Sequence, residues 1–168
     1  MPTTTTPAQE HQERWQEIIA DPSLRDLPYK VETNATGQIV LSPHSARHAR
    51  RQKHIEKRLD SLLESGEAFS EYPIVTTEGT KQADVIWASA QRLDEMVETG
   101  DPPTLAPEIC VEVLSPSNKW ENIREKIGLY LEAGAEEVWV VDTERRVRFF
   151  GEEELEHSDI APDFPSSV

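Results

Sequence analysis

The sequence predicts an α/β (α+β mixed sheet) fold, one central mixed β-sheet flanked by helices, and three observations carry that expectation. The segments run helix, strand, strand, strand, helix, strand, strand, an order that builds one mixed sheet with covering helices. Ile109-Cys-Val-Glu-Val-Leu114 and Glu137-Val-Trp-Val-Val-Asp142 are apolar at nearly every position, the pattern of strands covered on both faces. The 168 residues suit one domain, and 36% hydrophobic content is low but sufficient for one core.

Residues 1–8, rich in threonine and proline, read as a disordered leader without the basic and apolar run of a secretory signal. Residues 9–20 form a short helix stopped by Asp21-Pro22. Ile39-Val40-Leu41 after Gly37 is a short strand closed by Ser42-Pro43. From Ser45 to Ser65 the period becomes helical, with His48, Gln52, Ile55, Leu59, Leu62 and Leu63 on one face. Strand-like runs follow at Tyr72–Thr77, Ala83–Ala88 and Ile109–Leu114, with a short helical stretch at Ser89–Glu98 between the last two. Asn118 and Glu121 resemble a capping box opening a second helix, whose apolar face is Ile123, Ile127, Tyr130 and Leu131 and whose end is Gly134. Val147–Phe150 is the hairpin partner of the strand Glu137–Asp142. One domain over 9–155 and an acidic tail over 156–168 complete the expected organisation.

Charge narrows the function. Seventeen Lys and Arg against 32 Asp and Glu give a net of −15, so the chain as a whole repels a phosphate backbone. The balance is uneven. Arg47, Arg50, Arg51, Lys53, Lys57 and Arg58 lie within one stretch that holds a single acid, Glu56. A solvated helix face is the ordinary reading of such a run, and a docking strip for phosphates is the functional one. No run approaches the ~20 apolar residues of a spanning helix, so no membrane partner is expected. Cys110 is the only cysteine, which precludes an intramolecular disulfide and makes a reducing cytoplasm the natural setting.

Two carboxylates stand where carboxylates are costly. Glu112 interrupts an otherwise apolar strand, and Asp84 opens Asp84-Val-Ile-Trp-Ala88. A buried carboxylate must be protonated, paired with a cation or bound to a metal. On neighbouring strands the two could converge on one hard, oxygen-seeking cation; alone, each would be a strand-end charge or a simple salt bridge. Lys126 sits at the edge of the second helix's apolar face, able either to lean toward the sheet or to snorkel into solvent.

Val111-Glu-Val-Leu-Ser-Pro-Ser-Asn118, then Lys126, Tyr130, Gly134 and Glu137–Asp142, together with Pro28-Tyr-Lys-Val-Glu32, Gly37–Pro43 and His48, resemble the Uma-type restriction endonuclease family of the PD-(D/E)XK nuclease superfamily. The resemblance spans Leu27 to Phe150 and implies a restriction-endonuclease-like core. It also implies Mg²⁺-dependent hydrolysis of nucleic acid, DNA by preference, with Mn²⁺ as a substitute ion. Asp84, Glu112 and the Val113 backbone carbonyl would hold the metal. Lys126, relocated from the usual position now occupied by Leu114, would act on the attacking water, and Glu32 would supply an outer acidic contact. His48 matches a family position but shares a helix face with Ile55 and Leu59, so it is expected as a hydrogen-bonded core residue. Arg47, Arg51 and Arg58 would hold the phosphate backbone. Ala83 stands where the family usually has proline, and Asn122 where it often has an acid. A homodimer is expected, because nucleases that cut both strands commonly work as pairs. Two rivals stay open: a catalytically inert interaction module that keeps the fold, and an acidic metal-binding or regulatory protein.

Overall fold

The computed structural model describes residues 4–43 and 45–168. Helix α1 (Pro7–Ala20) starts two residues inside the expected leader, because Thr6 caps it: the hydroxyl accepts the Gln9 N–H and the Gln9 side chain returns to the Thr6 N–H. Met1–Thr3 of that leader lie outside the described residues. After a 3₁₀ turn at Pro22–Leu24 come β1 (Tyr29–Thr33) and β2 (Ile39–Pro43), an antiparallel ribbon that forms its own two-stranded sheet. The patterning above contains β2 and not β1, although Tyr29-Lys-Val-Glu-Thr33 alternates apolar and polar residues as a short strand does.

Helix α2 (Ala46–Leu62) buries the expected stripe of His48, Gln52, Ile55 and Leu59. The hairpin of β3 (Gly66–Thr76) and β4 (Gly79–Ser89) is far longer than the runs that predicted it. Then follow α3 (Ala90–Glu98), β5 (Ile109–Val113), α4 (Trp120–Glu132), β6 (Glu137–Val141), β7 (Val147–Phe150) and a short β8 (Glu154–Leu155). The main sheet has six strands in the order β3-β4-β5-β6-β7-β8; β5 and β6 pair in parallel across the α4 crossover, and the other pairs are antiparallel. It is the expected mixed sheet flanked by helices.

Both faces of the sheet are covered, as the unbroken apolar runs require. One face packs Val85, Trp87, Val111 and Trp139 under Ile55 and Leu59 of α2. The other packs Ile86, Cys110, Val138 and Val140 under Met96 of α3 and Ile123, Ile127 and Tyr130 of α4.

Two expectations need correction. Asn118 does not cap α4: its side-chain oxygen accepts the Ser115 N–H at 2.7 Å, which closes the Ser115–Asn118 loop, and Lys119 stands at the cap without a side-chain bond. The tail over 156–168 is not simply solvated. Ala161 and Phe164 are buried in the α2-side core, with the Phe164 ring 4.6 Å from that of Trp139. Buried Glu137 anchors this return, accepting from Trp139 Nε1 and from the N–H groups of Asp159 and Ile160. The core therefore continues past residue 155.

Candidate active site

Asp84 and Glu112 lie on the adjacent antiparallel strands β4 and β5, one residue beyond the ladder pair Val85–Val111. Both are buried, at 1% and 3% exposure. The ladder from β3 to β4 pairs Ser70 with Val85 and Tyr72 with Ala83 but passes over Glu71 and Asp84, and Glu71 has φ +51°. That local break leaves the Asp84 carbonyl to accept from Gln52 Nε2 at 3.1 Å. The Asp84 carboxylate is held from several sides: Oδ2 accepts the Val113 N–H at 2.7 Å, and His48 Nε2 lies 3.3 Å from the same oxygen. Glu112 Oε1 accepts from the buried Tyr130 hydroxyl at 2.8 Å.

The two carboxylates meet at one point, and a cation occupies it. Lys30 Nζ donates to Asp84 Oδ1 at 3.0 Å and to Glu112 Oε2 at 3.2 Å, with its side chain only 9% exposed. Lys30 comes from β1, two residues before Glu32. Lys126 does lean inward from α4, donating to Glu32 Oε2 at 2.8 Å and lying 3.6 Å from Glu112 Oε1, though it does not reach Asp84. Glu32 is fixed in turn by the Gln82 N–H at 2.8 Å. The cluster thus sets three carboxylates against two ammonium groups.

Electrostatics separate the carboxylates. Burial would raise Asp84, but the Lys30 charge, the His48 bond and the Val113 N–H hold its pKa far below the usual range. Glu112 moves the other way: burial raises it, and the charges of Asp84 and Glu32 add to burial against those of Lys126 and Lys30. For Glu32, burial is outweighed by Lys126 and Lys30, and the pKa falls. Burial opposes the Lys30 charge, yet Asp84, Glu112 and Glu32 raise its pKa well above the ordinary value, so the ammonium stays charged. Burial likewise opposes a charged His48, and the bond to Asp84 with its charge overcomes that and raises the pKa.

His48 is buried and hydrogen-bonded as expected, but its bonds point into the site. Nε2 faces the Val113 carbonyl at 3.1 Å as well as Asp84, and two acceptors require that this nitrogen carry a proton.

A cleft of about 290 Å³ opens onto the cluster, bounded by Leu41–Pro43 of the ribbon and by Ser115, Asn118 and Asn122 ahead of and on α4. The residues fit a hard divalent ion. The donors are all oxygen, two buried carboxylates converge, and their meeting point already stabilises a positive charge. No group of three or more His, Cys, Asp or Glu side chains among the described residues forms a ready cage, so carboxylates and main chain would have to suffice.

The arginines divide. Arg47, Arg50, Arg51 and His54 of α2 line a second groove of about 370 Å³ together with Arg145 from the β6–β7 turn. Arg58 is exposed further along α2 and does not line it. Reading the sequence missed Lys30, Gln52 and Arg145. Lys30 had a signal, since residues 30 and 32 share one side of a strand; Gln52 and Arg145 had none, because their partners come from distant elements.

No helix among the described residues is long and apolar enough to cross a membrane. No curated protein matches the chain. Among solved structures it is similar to a crystal structure described as a putative nuclease belonging to DUF820 from Anabaena variabilis. The TM-score is 0.65 at 16% identity, over 82% of this chain and 86% of that one, a likeness of fold. The sequence profile of the Uma2 family, described as putative restriction endonuclease, matches residues 14–166. With the whole six-stranded sheet, the ribbon and the carboxylate cluster inside that match, this chain belongs to the Uma2 family.

Proposed function

We propose that the chain is a metal-dependent endonuclease that hydrolyses phosphodiester bonds of nucleic acid, DNA by preference, with Mg²⁺ or in its place Mn²⁺. The observation that carries this reading is the convergence of Asp84 Oδ1 and Glu112 Oε2 on one cation-holding point beside Lys126. Asp84 and Glu112 would hold the ion, with the Val113 carbonyl contributing the lone pair that His48 leaves unused. Bound there, a divalent ion supplies charge neutralisation at the scissile phosphate and a more acidic water.

The protein's own groups do the rest. Val113 N–H and His48 keep the Asp84 carboxylate ionised and oriented. Tyr130 fixes Glu112 through Oε1, leaving Oε2 directed at the shared point. Lys126 orients the attacking water or steadies charge developing on the phosphate, and Glu32 positions Lys126. Arg47, Arg51 and Arg145 supply a phosphate-binding strip on a chain that is otherwise acidic, and Arg58 extends it along α2.

The proposal includes a cytoplasmic enzyme working as a homodimer. Val138–Val141, Val147 and Phe149 are buried within the chain itself and so are not open to a partner, whereas Arg148 is exposed and Phe150 half-buried. Sedimentation showing only a 19.0 kDa species at micromolar protein removes the dimer.

An inert interaction module is the second reading, favoured by the way Lys30 already closes the carboxylate pair. Cleavage of plasmid and single-stranded DNA in Mn²⁺, with Glu112→Ala alongside, decides between them. Cutting by the parent that Glu112→Ala abolishes is the expected result; equal residual cutting by both, or none by either, refutes the enzyme.

A further inference from the structure

We propose that Lys30 is a tethered cation that competes with the divalent ion for the Asp84–Glu112 pair, so that the site loads only when the β1–β2 ribbon withdraws its ammonium. This rests on the metal-dependent reading above and adds to it a gate built into the chain.

The geometry makes the two cations mutually exclusive. Lys30 Nζ bridges one oxygen from each carboxylate at 3.0 and 3.2 Å, so it fills the point where the two carboxylates that would hold the ion converge. An ammonium left in place would face the incoming ion at contact range in a buried setting, where like charges are weakly screened. Charge balance tells the same story. Glu32, Asp84 and Glu112 stand against Lys30 and Lys126, so the metal-free cluster is nearly compensated. A divalent ion added with both lysines in place would turn the formal sum of these five groups from −1 to +1, whereas the same ion with Lys30 withdrawn brings it to zero.

The ribbon is attached in a way that permits the withdrawal. It belongs to its own two-stranded sheet rather than to the six-stranded one. Its bonds to β4 cluster at Val31–Thr33: Thr80 N–H to Thr33 Oγ1 at 2.8 Å, Lys81 Nζ to the Thr33 carbonyl at 2.8 Å, and Gln82 to Glu32 and to the Val31 carbonyl. Toward Tyr29 and Pro43, where the ribbon borders the cleft, the remaining bonds from ribbon to sheet among the described residues are those of Lys30 itself. The ion pair is therefore the latch at that end. Its release frees a flexible four-carbon side chain without disturbing the seam that positions Glu32.

A ligand whose binding-competent state is populated a fraction f of the time binds weaker by that fraction; a lysine engaged nine-tenths of the time costs about tenfold in affinity. Calorimetric titration of the full chain with MnCl₂, without nucleic acid, reads this directly. Lys30→Met should bind Mn²⁺ about tenfold or more tighter than the parent, while Lys30→Arg, which keeps the charge, should not bind tighter. Mn²⁺ should also raise the melting temperature of Lys30→Met more than that of the parent. If Lys30→Met is unfolded without metal, recovery of its circular dichroism on adding MnCl₂ supports the competition, and failure to recover at millimolar MnCl₂ overturns it. Equal or weaker Mn²⁺ binding by Lys30→Met overturns the gate and leaves the metal site standing. No Mn²⁺ binding by parent or variant overturns the metal site itself, and the gate with it.

Discussion

Lys126 and Lys30 are two ammonium groups in one cluster, but only Lys30 reaches Asp84, and on the proposals above they do different work for that reason. Lys126 is paired with Glu32 and only flanks Glu112, so removing it leaves the Asp84–Glu112 meeting point intact. Lys126→Ala should therefore keep Mn²⁺ affinity near that of the parent, or tighten it slightly by relieving repulsion. Cleavage should fall by roughly 10²–10³, the scale for losing one transition-state stabiliser. Titration calorimetry and a plasmid-nicking time course, run on the same preparation, check both halves; undiminished cutting would leave the mechanism without its water-orienting group. Buried carboxylates are not all alike, either. Glu137 is as buried as Glu112, yet its partners are an indole N–H and two backbone N–H groups, so it is a joint in the fold and not a site.

At the scale of elements, the position of the ribbon decides whether a cluster exists at all. Gly79 begins β4 with φ +99°, and a Cβ there would meet the Thr33 carbonyl oxygen at 2.4 Å and that of Asn34 at 2.5 Å. The main chain of the ribbon thus comes against the β3–β4 turn as closely as only glycine allows. Gly79→Ala combines a left-handed backbone penalty of about 1 kcal/mol with an overpacking cost of about 1–3 kcal/mol against backbone that cannot yield. At about 2–4 °C per kcal/mol for a chain of this length, the melting temperature should drop by roughly 4–16 °C. Faster proteolysis between β1 and β2 should accompany the drop, because the displaced seam at Val31–Thr33 is what ties the ribbon to β4. A melting temperature unchanged within a degree would mean that the ribbon does not depend on this contact.

The whole molecule is acidic with one basic strip, and the tertiary structure shows which cations belong to it. Among the described residues, Arg14, Arg92, Arg146 and Arg148 pair with neighbouring carboxylates, and Lys30 and Lys126 are in the cluster. Among the described residues, Arg47, Arg50 and Arg145 line their groove, which Val168 also borders, without an ion pair to a carboxylate, and Arg51 donates to the Thr143 carbonyl. Each arginine that contacts a phosphate contributes about 0.9 to the slope of log affinity against log salt on duplex DNA. Arg51→Ala and Arg145→Ala should each flatten that slope by about one unit and weaken binding to all sequences alike, measured by fluorescence anisotropy across a salt series. Arg58→Ala, outside the groove, should change it less. A slope unmoved in all three would take nucleic acid away from this face.

Local physics made much of this legible from the amino acids. Apolar periodicity placed α2 and α4, because burial in a helix acts on neighbours three and four residues apart, and unbroken apolar runs placed β5 and β6, strands covered on both faces. The cost of burying charge singled out Asp84 and Glu112, the edge of a helix face singled out Lys126, and family resemblance added Glu32; all four meet in one cluster. The tertiary structure alone brought Lys30 across 54 residues to Asp84 and 82 to Glu112, turned His48 and Gln52 from core stripe to partners of Asp84, added Arg145 to the α2 arginines and buried Phe164. Those outcomes depend on which distant surfaces dock. A side chain's own stretch of sequence fixes its face and its charge, whereas its partner is fixed by the packing of the whole sheet, ribbon and tail.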